Sequence, residues 1–159
     1  MDSKHKSKAT LPPAANWFSS NILSAGPGGW VCWGAKNNLV LLNDSDANEY
    51  PNVITHNDAH ADKSKVTAVA WCPDSNGVGK DKVTLASGAD DGILRTWRHN
   101  PDTCTLNQVG HVSTETGRVT CMSWSRADPA LLIAGGESGT VVNVLDMISG
   151  RVGDGVSFN

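Results

Sequence analysis

No apolar run in this 159-residue chain approaches the roughly 18 residues that a membrane span needs. The opening MDSKHKSKAT has no apolar centre either, so neither a signal peptide nor an anchor is read, and a cytoplasmic and nuclear address without a membrane partner is expected. Charge is scarce: 18 % of residues are charged, and 13 Lys+Arg against 16 Asp+Glu leave a net −3. A broad basic field for nucleic acid or anionic lipid is thereby excluded, and any RNA contact has to be local. Cys32, Cys72, Cys104 and Cys121 include no CxxC pair and sit mostly in strand-like apolar runs. They read as buried reduced thiols with no disulfide or zinc chemistry. Gly77-Val78-Gly79-Lys80 lacks the Gly five positions before Gly79, carries Asp81 after its Lys and precedes no helical pattern, so it is a turn and not a phosphate loop.

Tyr and Phe are also rare, with one and two residues, whereas Trp contributes six. Trp is costly to place without a packing or stacking role, so each one asks for a reason. With 39 % hydrophobic residues the chain is globular and long enough for one core.

Helical periodicity is missing throughout, and internal repetition takes its place. Gly34-Ala35-Lys36-Asn37-Asn38-Leu39-Val40 matches Gly88-Ala89-Asp90-Asp91-Gly92-Ile93-Leu94 and Gly135-Gly136-Glu137-Ser138-Gly139-Thr140-Val141, at offsets of 54 and 47 residues. Each copy reads strand, tight turn, strand, with Gly, Asn and Asp supplying residues that tolerate positive φ. Val66-Thr67-Ala68-Val69-Ala70-Trp71 likewise matches Val119-Thr120-Cys121-Met122-Ser123-Trp124 at an offset of 53. The difference between 53 and 47 assigns six extra residues to a surface loop in CPDSNGVGKDK. In the one whole unit, strands are expected near Val66–Trp71, Val83–Gly88, Ile93–Arg98 and Thr105–Gly110. The first unit lacks a clear opening strand and the third ends with its third strand. Four-stranded units at a period near 50 predict an all-β fold, a β-propeller.

His60, Ser87, Asp91 and Trp97 stand in the whole unit at the spacing of the WD-repeat pattern, and the unit resembles a WD-repeat blade. In such a blade Asp orients the imidazole, the imidazole bonds the Ser hydroxyl, and Ser meets the indole N–H, so four polar groups satisfy one another. These residues are read as structural. The next unit keeps Gly110-His111 but has Ala134, Ser138 and Val144 at the other positions, which removes the network. A Kelch-type propeller has a similar period, and Gly135-Gly136 resembles its diglycine; the His-Ser-Asp-Trp set favours the WD reading.

LPPAANWF and AGPGGWVCWGAKNNLVLL, together with GGESGTVVNV, are similar to the start of the snRNA-recognising WD-repeat subunits of the SMN complex, over roughly Leu11 to Val144. That resemblance implies recognition of small nuclear RNA for spliceosomal snRNP assembly, with other SMN-complex proteins as partners, and no cofactor, small-molecule substrate or enzymatic activity. It implies that Trp17 and Phe18 stack on single-stranded bases and that Lys36 contacts the same RNA. Phe18 stands for the family's Tyr and keeps the stacking face without the hydroxyl, and Lys36 stands for its Arg and keeps the charge without the planar fork. Read without the resemblance, Trp17 and Phe18 would be packing residues at one end of the propeller, and a scaffold binding only protein partners is the competing function.

Trp30 and Trp33 flank Val31-Cys32 on opposite sides of a strand, which predicts that at most one faces a core; Trp71 and Trp124 are expected to point inward. His56 and His60 with Asp58 and Asp62 form a loop without a third ligand at a familiar spacing, and no metal is expected. Residues 1–10, with Lys4, Lys6 and Lys8, read as a disordered basic tail, 11–148 as a partial propeller of about two to three blades, and 149–159 as an irregular tail. Ten or eleven strands are too few for a closed ring, which predicts a fragment of a longer WD-repeat protein whose end blades leave apolar faces in water and favour association.

Overall fold

The computed structural model describes residues 11–43, 52–73, 85–114, 117–128, 131–136 and 140–143. The two tails read at 1–10 and 149–159, the loop insertion after Pro73, and Ser138 and Val144 lie outside the described residues. Eleven strands are described: β1 (Leu23–Ala25), β2 (Trp30–Ala35), β3 (Asn38–Asn43), β4 (Asn52–His56), β5 (Val66–Trp71), β6 (Leu85–Ala89), β7 (Ile93–Asn100), β8 (Thr105–Ser113), β9 (Val119–Trp124), β10 (Leu131–Gly136) and β11 (Thr140–Asn143). They form three antiparallel meanders, β1–β4, β5–β8 and β9–β11, each ordered as in the chain. This is an all-β, incomplete β-propeller, and its sheets are blades 1, 2 and 3.

The first unit does have its opening strand. β1 is three residues long, with Leu23 and Ala25 exposed and Ser24 half-buried, so it carries no apolar alternation to mark it. It is held by pairing with β2, from Leu23 opposite Trp33 to Ala25 opposite Val31.

Blade-on-blade packing needs both faces of a sheet, and this places the tryptophans. Trp30 and Trp33 are both buried, against the expectation of one. Trp30 joins the cluster between blades 1 and 2 with Cys32, Leu41, Val66 and Trp97, while Trp33 lies on the far face of blade 1 with Val40. That far face is covered in part by the chain start, where Trp33 Nε1 donates to Pro13 O at 2.8 Å and Ala15 packs alongside. Trp71 and Trp124 point inward as expected, and Trp124 Nε1 donates across to Ala70 O at 3.1 Å. A second cluster, with Ala68, Leu94, Val119 and Leu132, fills the space between blades 2 and 3.

Two of the four cysteines depart from the buried reading. Cys32 and Cys72 are buried, and burial pushes the Cys32 thiol up, which keeps it inert. Cys104 is exposed in the turn before β8, and Cys121 is exposed on β9. Cys121 lies on the outer face of blade 3 with Ser123 and Ile133, the last 47 % exposed, while Leu132 and Ala134 between them are buried against blade 2. One face of blade 3 is therefore covered and the other open among the described residues.

Gly34 and Gly88 are not there for positive φ. A Cβ on Gly34 would come within 2.6 Å of Val66, and one on Gly88 within 2.5 Å of Val119. Each glycine lets the first valine of the next blade's inner strand rest directly on the backbone. Positive φ is carried in these turns by Lys36 and Gly92 instead.

Candidate functional site

Asn16 builds the site. Its side chain is buried, with Nδ2 donating to Lys36 O and Val66 O, both at 2.9 Å, and Oδ1 accepting from Lys36 N at 2.7 Å. Its own N–H donates to Gly34 O at 2.9 Å. One amide thus ties the chain start to the β2–β3 turn of blade 1 and to the first residue of blade 2. It also holds Lys36 at φ 55°, a left-handed conformation uncommon outside glycine and asparagine. Replacing Asn16 by Ala leaves two carbonyls and an N–H short of partners, and unfolding in urea is expected to show a loss of about 1–3 kcal/mol.

The next two residues project outward. Trp17 is 91 % exposed and Phe18 38 %. Their ring centroids lie 6.1 Å apart in an edge-to-face pair. Lys36, which Asn16 fixes by its backbone, is exposed beside them in sequence-distant company. The structure therefore brings Trp17, Phe18 and Lys36 to one end of the propeller through one anchor.

Two further cations meet there that the residue pattern did not indicate. Lys65 Nζ lies 5.3 Å from the Phe18 ring centroid and Arg118 Cζ 5.6 Å from it. Arg118 Nη2 also donates to Ser19 Oγ at 3.2 Å. Both residues stand immediately before the inner strands of blades 2 and 3, at the 53-residue offset already noted. That shared offset was the available signal. The chain's net negative charge hides two exposed cations at the Phe18 ring, with the exposed Lys36 on the turn that Asn16 anchors.

The blade network lies within blade 2. His60 Nε2 and Ser87 Oγ are 2.8 Å apart, and Trp97 Nε1 donates to the same Oγ at 2.8 Å. The other imidazole nitrogen is Nδ1. That nitrogen faces Asp91 Oδ1 at 3.9 Å, too far for a hydrogen bond but close enough for attraction. Burial, followed by the Arg95 guanidinium, lowers the His60 pKa to about 4 despite the opposing Asp91 charge. Ser87 thus joins His60 and Trp97 inside blade 2, while Asp91 makes no hydrogen bond to the imidazole. His56 is half-buried, 5.0 Å from the Trp97 ring, and its pKa is lowered by burial. His60 is thus committed to Ser87, and no group of three or more His, Cys, Asp or Glu among the described residues is placed to hold a metal.

The inner strands also line a hollow of about 310 Å³, bounded by Leu23, Ser24, Trp71, Met122 and Trp124. Arg126 is the one ionisable side chain in its wall, so the hollow holds no acid–base pair among the described residues. No helix of the described residues is long and apolar enough to cross a membrane.

The WD domain, G-beta repeat family matches residues 52–98 and 102–142, more than half of the chain. The chain belongs to the WD40-repeat family. Its backbone is similar to the C-terminal WD40 domain of Sif2, with a TM-score of 0.57, 20 % identity, and coverage of 87 % of this chain and 38 % of that one. Saccharomyces cerevisiae Sqt1 gives a TM-score of 0.59 at 15 % identity, covering 81 % of this chain and 33 % of the other. A chain of a mitotic checkpoint complex gives 0.55 at 18 % identity, covering 82 % and 35 %. This WD40 chain spans between 33 % and 38 % of the length of each, and at these identities the likeness carries the fold.

Proposed function

We propose that this WD40 chain is a single-stranded RNA-binding module acting by base stacking on Trp17 and Phe18, with Lys36 at the phosphates or base edges. The carrying observation is Trp17, 91 % exposed on a turn that the buried Asn16 makes rigid. A large indole held in water on a fixed anchor has no packing to contribute, whereas a base stacked on it is worth about 1–3 kcal/mol. The similarity of LPPAANWF and GPGGW to the start of gem-associated protein 5 supplies the finer reading: recognition of small nuclear RNA within the SMN complex, in cytoplasm and nucleus, toward spliceosomal snRNP assembly, with no catalysis and no cofactor. A scaffold for protein partners is the second reading, favoured by the acidic overall balance and by the likeness to a subunit of a mitotic checkpoint complex.

Filter binding of a uridine-rich single strand tests the proposal. Trp17→Ala and Phe18→Ala are each expected to weaken binding by about 1–3 kcal/mol, roughly 5- to 150-fold. Trp17→Ala should leave thermal melting unchanged, because so little of that ring is buried. Unchanged affinity in both variants would sink the stacking role and favour the protein scaffold.

A further inference from the structure

We propose that Lys65 and Arg118 are RNA-backbone contacts of this site, forming with Lys36 a cationic rim that grips the phosphates on either side of a base stacked at Trp17 and Phe18. This rests on the stacking reading and extends it to residues that neither the repeat pattern nor the resemblance assigned.

Three observations carry it. First, the two side chains come from different blades and converge on one ring, with Lys65 Nζ at 5.3 Å and Arg118 Cζ at 5.6 Å from the Phe18 centroid. Second, both are exposed and neither forms an ion pair with a carboxylate among the described residues. The nearby acids are engaged elsewhere: Asp90 Oδ1 accepts from Lys65 N at 2.7 Å, and Asp91 Oδ2 accepts from the Ser64 hydroxyl at 3.0 Å. Neither charge is neutralised there, although Arg118 also donates to Ser19 Oγ. Third, their Cα positions are rigid. Lys65 precedes Val66, whose N–H donates to Lys36 O at 2.8 Å and whose carbonyl accepts from Asn16. Arg118 precedes Val119, whose carbonyl accepts from Thr67 Oγ1.

The chemistry of a single strand matches this layout. Its bases need a π-face and its backbone needs cations one nucleotide away, and here two positive side chains lie at the Phe18 ring in a chain that is otherwise net negative. Arg118 can also lay its guanidinium plane against a neighbouring base, which a lysine cannot.

Salt dependence separates backbone contacts from stacking. Each phosphate contact to a single strand contributes about −0.7 to the slope of log K against log [salt], whereas stacking contributes almost nothing. Binding of a 5′-labelled uridine-rich RNA to the full chain is measured by anisotropy between 0.05 and 0.5 M salt, in steps of about twofold. The double variant Lys65→Gln/Arg118→Gln is expected to lower the steepness of that slope by about 1.4 and to weaken binding about 25-fold at 0.1 M salt. Quenching of Trp17 fluorescence at saturation should stay the same, because the stacking partner is intact. The charge-retaining pair Lys65→Arg/Arg118→Lys should restore the slope. If RNA binds and depends on Trp17 but the slope of the glutamine variant equals that of the parent, the rim is wrong and the stacking site stands. If the parent chain does not bind the RNA at all, the stacking reading fails and this inference fails with it.

Discussion

Trp97→Ala is expected to lower the unfolding free energy by about 3–5 kcal/mol, the range for emptying a large aromatic site in a packed core. Trp97 is 1 % exposed and belongs to the cluster that joins blades 1 and 2, with Cys32, Leu39, Leu41 and Leu85. Its ring lies 5.0 Å from His56 of blade 1, so the loss falls on the contact between blades as well as on blade 2 itself. The hydrogen bond to Ser87 goes too, but Ser87 keeps His60, which limits that part to about 0.5–1.5 kcal/mol. Trp97→Phe separates the two contributions: it keeps most of the ring volume and deletes the N–H. Urea unfolding followed by near-ultraviolet circular dichroism should rank the parent above Trp97→Phe, and that variant well above Trp97→Ala. Equal midpoints for the parent and Trp97→Ala would mean that blade 2 does not depend on its network.

Acid should destabilise the protein as the pH falls from 6.5 towards 4. His60 has a folded pKa of about 4, below the ordinary histidine value near 6.5, because its ring is buried beside Arg95. The folded state therefore favours the neutral ring, and protonation favours the unfolded chain. The His60 contribution is fully present above pH 6.5 and is lost as the pH falls from 6.5 towards 4. Its full size is about 3 kcal/mol, a large share of a small domain's stability. Burial lowers the pKa of His56 and His99 as well, and these act in the same direction. Thermal melting between pH 7.5 and 4.5 should show a falling midpoint in the parent and a flatter profile in His60→Gln, which keeps a polar group toward Ser87 but cannot titrate. A parent profile as flat as that of the variant would overturn this assignment.

The strands of blade 2 could be read from the chain because they are local repeats. Val66–Trp71 is found where the alternation put it, and Ser87 bonds both His60 and Trp97, whereas Asp91 stays 3.9 Å from the imidazole. β1 could not be read, since three residues with two exposed side chains have no alternation to detect; only the partner strand makes them a strand. The repeated glycines were legible as repeats but not as to purpose. A turn explanation suits any Gly beside Asn and Asp, whereas Val66 and Val119 pressing on Gly34 and Gly88 come from the next blade. Trp33 was misjudged for the same reason: one strand suggests one core face, but a blade is covered on both.

The putting together of the surface site follows this division. Trp17, Phe18 and Lys36 stand out in the chain by resemblance, and the periodic pattern already dictates an all-β, bladed architecture around them. That Asn16 is the anchor, and that Lys65 and Arg118 reach the Phe18 ring, depends on how three sheets fan around one axis. Arg118 and Ser19 are 99 positions apart and meet at 3.2 Å. Periodicity is a property of neighbours along the chain and so specifies strands and turns. A side-chain cluster drawn from three blades exists only after Val66 and Val119 have docked on their glycines, because that packing sets the angle at which each blade delivers its cation.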